Sequence, residues 1–596
     1  MQQLKKFLYT YKKIFALAYK VSPKLLIIAT ISNSIWGLTN LPVLYINKAL
    51  IDTVINNLGN PSLSEPIKFI VSLAIFRALL EATRSVMSGL NWSLSTSLIE
   101  RIQARIDLIS SEKLNNLEMA TVESSTFQDR YKKIEREANN RIWGMIEPIS
   151  AFPNAFFTII SGIIPIFQFE PWIAGVVILF SLPDILISTK IVKKDYEESE
   201  ILNPKWRVWG WIKWYLTDVK NYYENRILGG TNYLVNKLSN LQTEVLDFRY
   251  NRRIKRSKMR SLGSIPGFLL SASLNIYFFI LAIIGKITLG SAQLLYSASS
   301  TLTNGFGMLI NDGLRIYENY LFISELTWFL DLETKNENVG KKVGQNNKGI
   351  EFKNVWFKYP NSKRSTLKGV SFKINNGENI ALVGENGAGK TTLIKLLCGF
   401  YKPTKGEILF NGVNIHEYNL KEYWKHLAVL FQDFSQYPFS AKESIGIGSP
   451  SRINDIKEIR KAAKLTGVDD FISNLPLGYD TSLTKDFEKG VEPSKGQWQR
   501  IALARTLFRN VDTIILDEPT SNVDPKAEEE IFDKIIELSK DKTLILISHR
   551  YSTVRRADKI LNLDNGVIIE QGTHEELMGK KGEYSKLFKL QAKGYQ

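Results

Sequence analysis

The run Gly384-Glu385-Asn386-Gly387-Ala388-Gly389-Lys390-Thr391-Thr392 is the part of this chain whose residue types and spacing point most directly to chemistry. It matches GxxxxGK(S/T), and glycine at that density lets successive backbone N–H groups close on a polyanion without side chains in the way. A triphosphate suits such a loop, with Lys390 reaching the β- and γ-phosphates as a point charge and the Thr391 hydroxyl binding Mg²⁺. A glycine-rich turn that happens to hold a lysine is the bland alternative. Farther on, Val511-Asp512-Thr513-Ile514-Ile515-Leu516-Asp517-Glu518 is an apolar run that ends in two carboxylates. A buried strand would deliver both acids at its carboxyl end, where α/β sheets bind ligands. Asp517 is then placed to hold Mg²⁺, directly or through water, and Glu518 to polarise an attacking water. Helix capping is the competing use of either acid alone. A further run, Thr543-Leu544-Ile545-Leu546-Ile547-Ser548, ends at His549, whose imidazole could touch the γ-phosphate and Glu518.

The elements that must position these residues follow from pattern. Ile380-Ala381-Leu382-Val383 before the loop reads as a strand and Leu393-Ile394-Lys395-Leu396-Leu397 after it as a helix. The carboxy-terminal portion is therefore an α/β domain, with bounds 350–596. In front of it, residues 331–349 lack periodicity and read as a linker.

Residues 1–330 are of another kind. Six apolar stretches, at about 25–50, 66–92, 146–167, 172–190, 262–285 and 290–320, each approach the roughly 20 residues a helix needs to cross a bilayer. Arg77, Glu81 and Arg84 in the second, Asp184 in the fourth, and Asn304, Asn311, Asp312 and Arg315 in the sixth would be costly against lipid. They should face a bundle interior or a wet cavity, or lie beyond the bilayer, the last being expected around Glu81 and Arg84. Lys and Arg crowd into 93–145 and 191–261 and are nearly absent from 51–65, 168–171 and 285–288, which places both termini inside. The two inside segments are too long for turns, so spans two to five should continue as helices into the cytoplasm.

Length and charge agree with a membrane protein. A chain of 596 residues exceeds one core, and the formal net charge of +17 is spread among apolar runs, as at a membrane surface and unlike a nucleic-acid face. The single Cys398 excludes an intramolecular disulfide framework and a cysteine-rich zinc site and reads as a small buried hydrophobe. No cleavage pattern follows the first apolar stretch, so no removable signal peptide is expected.

With these motifs in place, residues 350–590 resemble the nucleotide-binding domain of ABC transporters, and the whole chain resembles a half-size ABC exporter: a membrane all-α six-helix domain followed by a cytoplasmic α/β P-loop NTPase domain. The resemblance implies ATP and Mg²⁺ as ligands and ATP-driven export of an amphipathic substrate (peptide, lipid or drug). An importer subunit or a non-transporting regulatory ABC ATPase is the alternative. It implies that Tyr359 stacks on adenine, where an ordinary strand tyrosine is the other reading, and that Gln432 touches Mg²⁺ and signals to the membrane helices. It makes Ser521-Asn522-Val523-Asp524 the element that passes between two ATP sites. It aligns Val491-Glu492-Pro493-Ser494-Lys495-Gly496-Gln497 with the LSGGQ signature that caps the γ-phosphate bound to the opposite subunit. Ser494, Gly496 and Gln497 match; Pro493 and Lys495 depart. Proline in the first helical turn is compatible with that role, while the Lys495 stem could obstruct or its ammonium attract. Shared sites require a dimer, with a homodimer favoured over a heterodimer with a related half-transporter. Coupling helices are implied near 122–130 and 224–230, and the plasma membrane is the implied location. The aromatic group from Trp206 to Tyr223 reads equally as interfacial anchors or as packing between long helices.

Overall fold

The structure, a computed structural model, describes residues 2–59, 64–334, 339–344, 348–360, 362–520, 525–539, 541–548 and 550–593. The chain forms two compact units, residues 1–113 with 129–332, and residues 114–128 with 333–596. Ser521–Asp524 and His549, and parts of the 51–65 and linker segments, lie outside the described residues.

The first unit is helical throughout its described residues. Its helices are α1 (Gln2–Val21), α2 (Pro23–Leu38), α3 (Asn40–Asn56), α4 (Ser64–Asn115), then, after the short α5 (Met119–Val122) of the second unit, α6 (Ser125–Phe169), α7 (Trp172–Thr217), α8 (Val219–Ile227), α9 (Gly230–Ile283) and α10 (Leu289–Asp331). At 1.5 Å per residue, the 52-residue α4 is about 78 Å long and the 54-residue α9 about 81 Å, far more than the roughly 30 Å of hydrocarbon they would cross. The helices holding the second to fifth apolar stretches thus run on well past them.

Four described segments are long and apolar enough to span: Pro23–Asn56, Arg141–Phe169, Trp172–Asp195 and Gly230–Ile283. The expected second and sixth stretches are helical, in α4 and α10, but are not among these four; charged residues and amides interrupt them. Those of the second stretch are partnered. Arg84 donates to Thr39 Oγ1 (2.6 Å) and Asn40 Oδ1 (2.9 Å) at the break between α2 and α3, and Arg77 donates to Asn47 Oδ1 (2.9 Å) and pairs with Glu81 (3.1 Å). Arg84 thus finds polar partners on a neighbouring helix. On the other side, α4 leaves Ile75, Leu79 and Val86 more than half exposed, an apolar band suited to lipid.

The second unit holds two sheets. One is antiparallel, in the order β2 (Leu367–Ile374), β1 (Ile350–Phe357), β4 (Lys405–Phe410), β5 (Val413–Asn414). The other runs β10 (Val567–Gly572), β9 (Lys559–Asp564), β3 (Asn379–Val383), β8 (Thr543–Ile547), β7 (Thr513–Asp517), β6 (Leu427–Leu430), parallel from β9 to β6. Every residue of β7 and β8 is buried, as expected for strands covered on both faces. Parallel order brings the carboxyl ends of β3, β7 and β6 to one edge. In the linker, Lys341 forms an isolated parallel bridge with Tyr418, just after the 3-10 turn Ile415–Glu417, with Lys341 N–H donating to Glu417 O (2.8 Å).

Candidate nucleotide site

At the end of β3 the chain turns through the glycine loop into α11 (Lys390–Leu397). Gly384 has φ +144°, and a Cβ there would lie 2.0 Å from Leu563 O; Gly389, the N-cap of α11, has φ +110°. Neither position admits a side chain without moving backbone or neighbours. Glu385, Asn386 and Gly387 form the exposed tip, while Ala388 is buried. Lys390, 7% exposed, donates from Nζ to Gly384 O (2.8 Å) and Glu385 O (2.9 Å). Burial pulls its pKa below the ordinary lysine value, against the opposing pull of Glu518 and Asp517.

β7 carries Asp517 to the same place. Thr391 Oγ1 donates to Asp517 Oδ2 at 3.0 Å, so the hydroxyl and the carboxylate expected to share a metal ion are adjacent. Asp517 is 2% exposed; burial raises its pKa, offset partly by the Thr391 bond, while the charges of Glu518 and Asp433 add to the rise. Asp433, which the sequence reading passed over, is thus part of this electrostatic environment.

Glu518 sits in the left-handed region at φ +49°, a conformation rarely adopted without glycine. Three bonds hold it there. Its N–H donates to Ile547 O (3.0 Å), its carbonyl accepts from Gln499 Nε2 (2.9 Å), and its Oε2 accepts from Gln432 Nε2 (3.1 Å). Gln499 is a functional neighbour that sequence reasoning missed. It is 2% exposed among the apolar residues of helix Lys495–Phe508, and a polar residue inside such a run was the available signal.

Tyr359 follows β1 and packs edge-on against Phe357 and Tyr401, with ring centroids 4.9 and 5.4 Å away, and its hydroxyl lies 3.2 Å from Thr392 Oγ1. Tyr401 in turn donates to the carboxylate of Glu123, just after α5, and Lys395 Nζ lies 3.6 Å from the same carboxylate. The segment implied as a coupling helix therefore packs with the nucleotide unit, beside the tyrosine expected to meet adenine.

The signature stretch adopts a capping box. Ser494 is the N-cap of helix Lys495–Phe508; its Oγ accepts from Gln497 N–H (3.3 Å) and Gln497 Oε1 accepts from Ser494 N–H (2.8 Å). This corrects the placing of Pro493 in the first turn. It lies one residue before the N-cap and is buried, so its missing N–H costs the helix nothing. Lys495 is the first helical residue and is exposed, and Gly496 follows it. Cys398 is buried, as the sequence reading implied, and burial pushes its thiol up to about 12.

Comparison with known proteins agrees with this architecture. Residues 367–521 match the ABC transporter family. The subtilin transport ATP-binding protein of Bacillus subtilis is 29% identical over 98% of this chain and 94% of its own. The ATP-dependent lipid A-core flippase of Escherichia coli is 31% identical over 72% of this chain and 73% of its own. A solved bacterial Atm1-family ABC exporter with ATP bound superposes with a TM-score of 0.80 at 22% identity, over 95% of this chain and 98% of that one. With a strand–glycine-loop–helix, a Thr391–Asp517 pair and a polarised Glu518 in one ABC-type sheet behind a helical membrane region, the chain belongs to the ABC transporter family, as a half-size exporter whose ATPase is coupled to transport.

Proposed function

We propose that two copies of this chain share two Mg²⁺–ATP sites and use them to move an amphipathic molecule (peptide, lipid or drug) out of the cytoplasm across the plasma membrane. The observation that carries the reading is the meeting of Thr391 with Asp517 and of Gln432 with Glu518 at one sheet edge. A hydroxyl, one carboxylate and a side-chain amide are few, hard oxygen donors, which fits a Mg²⁺ site completed by nucleotide phosphates. Thr391, Asp517 and Gln432 would hold the ion, which when bound offsets phosphate charge. Lys390 exchanges two loop carbonyls for the β- and γ-phosphate oxygens, a stronger, charge-assisted pairing. Loop N–H groups from Gly384 to Thr392 take the remaining oxygens, and the ring of Tyr359 covers the adenine. Glu518, oriented by Gln432 and Gln499, accepts a proton from the attacking water, and His549 contacts the γ-phosphate. Ser494, Gly496 and Gln497 face the γ-phosphate of the other copy, with the dipole of their helix aimed at the anion.

Closure of the sites reaches the membrane helices through residues 114–128, whose Glu123 engages Tyr401 and Lys395. Val219, Tyr223, Ile227 and Leu228, each at least 72% exposed around the turn from α8 to α9, suit docking on the second copy. The working organisation is then a six-span membrane domain (1–330) with both termini inside, a linker (331–349) and the ATPase domain (350–596). Differential affinity of ATP for the closed dimer drives the switch to an outward-open cavity, and loss of the γ-phosphate contacts reverses it. Copurification of two differently tagged copies, together with chelator-sensitive ATP hydrolysis and ATP-dependent uptake into inverted vesicles, is the expected outcome. Hydrolysis by a strictly monomeric chain, or uptake only in right-side-out vesicles, overturns the proposal.

A further inference from the structure

A cavity of about 710 Å³ lies in the membrane unit among α6, α7, α9 and α10, within the size range of small-molecule sites. Of the polar residues that break the sixth apolar stretch, Asn304, Asn311 and Arg315 follow one another at seven and four residues on α10 with Asp312 beside them, and all four line it; Asp184 of α7 lines it as well. Their charges do not balance. Arg315 is taken by an ion pair with Glu147 of α6, and Arg260 of α9 donates to the Asn311 amide oxygen (3.2 Å) and not to a carboxylate. Glu147, Asp184 and Asp312 thus outnumber Arg260 and Arg315 by one charge among the described residues, and Asp184 Oδ1 is buried with no hydrogen-bond donor among them. A carboxylate oxygen shut away from water without a donor is costly at any depth and most of all within a bilayer, so such a group marks a place for a cation the chain itself does not supply. The cavity also has room: a Cβ added at Gly267 or Gly307, both lining residues, would meet no atom within 4 Å. Phe180, Phe268 and Met308 give it an apolar side.

We infer that this cavity is a substrate subsite selective for a protonated amine on an amphipathic molecule, with Asp184 receiving the ammonium and the apolar wall receiving the body. The assignment rests on the exporter reading above and names the charge of its cargo.

The test uses the full chain in nanodiscs, without nucleotide, titrated with a fluorescent amphipathic peptide of alternating leucine and lysine and with the same peptide after acetylation of every amine. The free-amine form should bind about tenfold more tightly. Asp184→Asn should abolish that ratio, Asp184→Glu should keep it, and Gly307→Val, which fills the cavity without touching a carboxylate, should weaken both forms alike. Dodecylamine and its N-acetyl form, run in parallel, separate the sources: the same preference there assigns the site to amphipathic amines in general, and its absence assigns it to peptides. Equal binding of the two peptide forms to the unmodified chain overturns the inference without any variant having to fold, as does a preference that survives in Asp184→Asn. Wild-type protein that hydrolyses ATP yet shows no charge preference sinks this inference alone, whereas protein that neither dimerises nor hydrolyses ATP sinks the exporter reading beneath it.

Discussion

Asp517 in the nucleotide unit is a buried carboxylate and Asp184 in the membrane unit a half-buried one with a single buried oxygen, and their surroundings differ in kind. Asp517 accepts a hydrogen bond from Thr391 and lies within the field of Lys390, so its charge is answered inside the chain before any ligand arrives. Asp184 has a buried oxygen with no donor among the described residues, beside a cavity of about 710 Å³. In the function proposed above, the first arrangement serves a ligand whose identity does not change: phosphate chemistry is the same in every cycle, so the loop, the acids and the glutamines can be organised in advance at little reorganisation cost. The second leaves one partner to be supplied from outside, which is how a passage can select its cargo and still let it go.

The sharpest way to break this contrast is at the preorganised site. Replacing Glu518 with Gln removes the base while keeping the shape that accepts bonds from Gln432, and should lower ATP hydrolysis by roughly 10²–10⁴-fold with nucleotide still bound. Phosphate release together with nucleotide retention on the purified protein measures it, and undiminished hydrolysis would remove Glu518 from its role. Next in size is Lys390→Ala, where losing a charge-assisted contact worth about 1.5–3 kcal/mol should weaken ATP binding by roughly 10- to 100-fold.

The same lysine makes a pH prediction. Its pKa in the free protein is pulled below 10.5 by burial, and phosphates favour the protonated form. ATP affinity should therefore be full near neutral pH and fall as pH rises through a window beginning below that of an ordinary lysine, whereas Lys390→Arg should hold its affinity across the window. Fluorescent-nucleotide titrations between neutral and alkaline pH decide this, and identical profiles for the two proteins would count against it.

A smaller effect sharpens the comparison. Gln499→Leu deletes the donor to the Glu518 carbonyl in a buried place, and should cost about 1–3 kcal/mol in thermal or denaturant unfolding, with turnover falling more than ATP affinity. Smallest is Lys495→Gly. Because Lys495 is exposed at the start of its helix, its charge is worth about 0.3–1 kcal/mol there, and turnover should change by less than about fivefold. A much larger rise would mean that the lysine stem obstructs the shared site.

The legible parts of this protein were those where neighbours in sequence are neighbours in space. Gly384 to Thr392 are close because a strand, a tight loop and a helix N-terminus leave them little choice, and Asp517-Glu518 reached the sheet edge because an apolar strand of that length can end nowhere else. Pro493 was placed in the first turn because proline suits that position by type, whereas the reciprocal bonds between Ser494 and Gln497 make Ser494 the N-cap and Lys495 the first helical residue. Polar residues within apolar stretches showed that something other than lipid must face them, but not what. Arg84 turned out to find Thr39 and Asn40 across a helix break, while Asp184 Oδ1 found no donor among the described residues.

Sequence alone thus determined the ligand class, the order of a helical membrane region before an α/β ATPase, and the residues expected to touch phosphate, because these depend on backbone conformation over a few residues and on the period of apolar side chains. Tertiary structure alone decided that Gln499 supports Glu518, that residues 114–128 pack with the nucleotide unit through Glu123 and Tyr401, and that Asp184 shares a cavity with Asp312. Those meetings depend on how each helix is rotated about its axis and how far it slides along its neighbours. That is settled by the sum of many weak packing contacts along elements of 43 to 54 residues, and no short stretch of the chain encodes it.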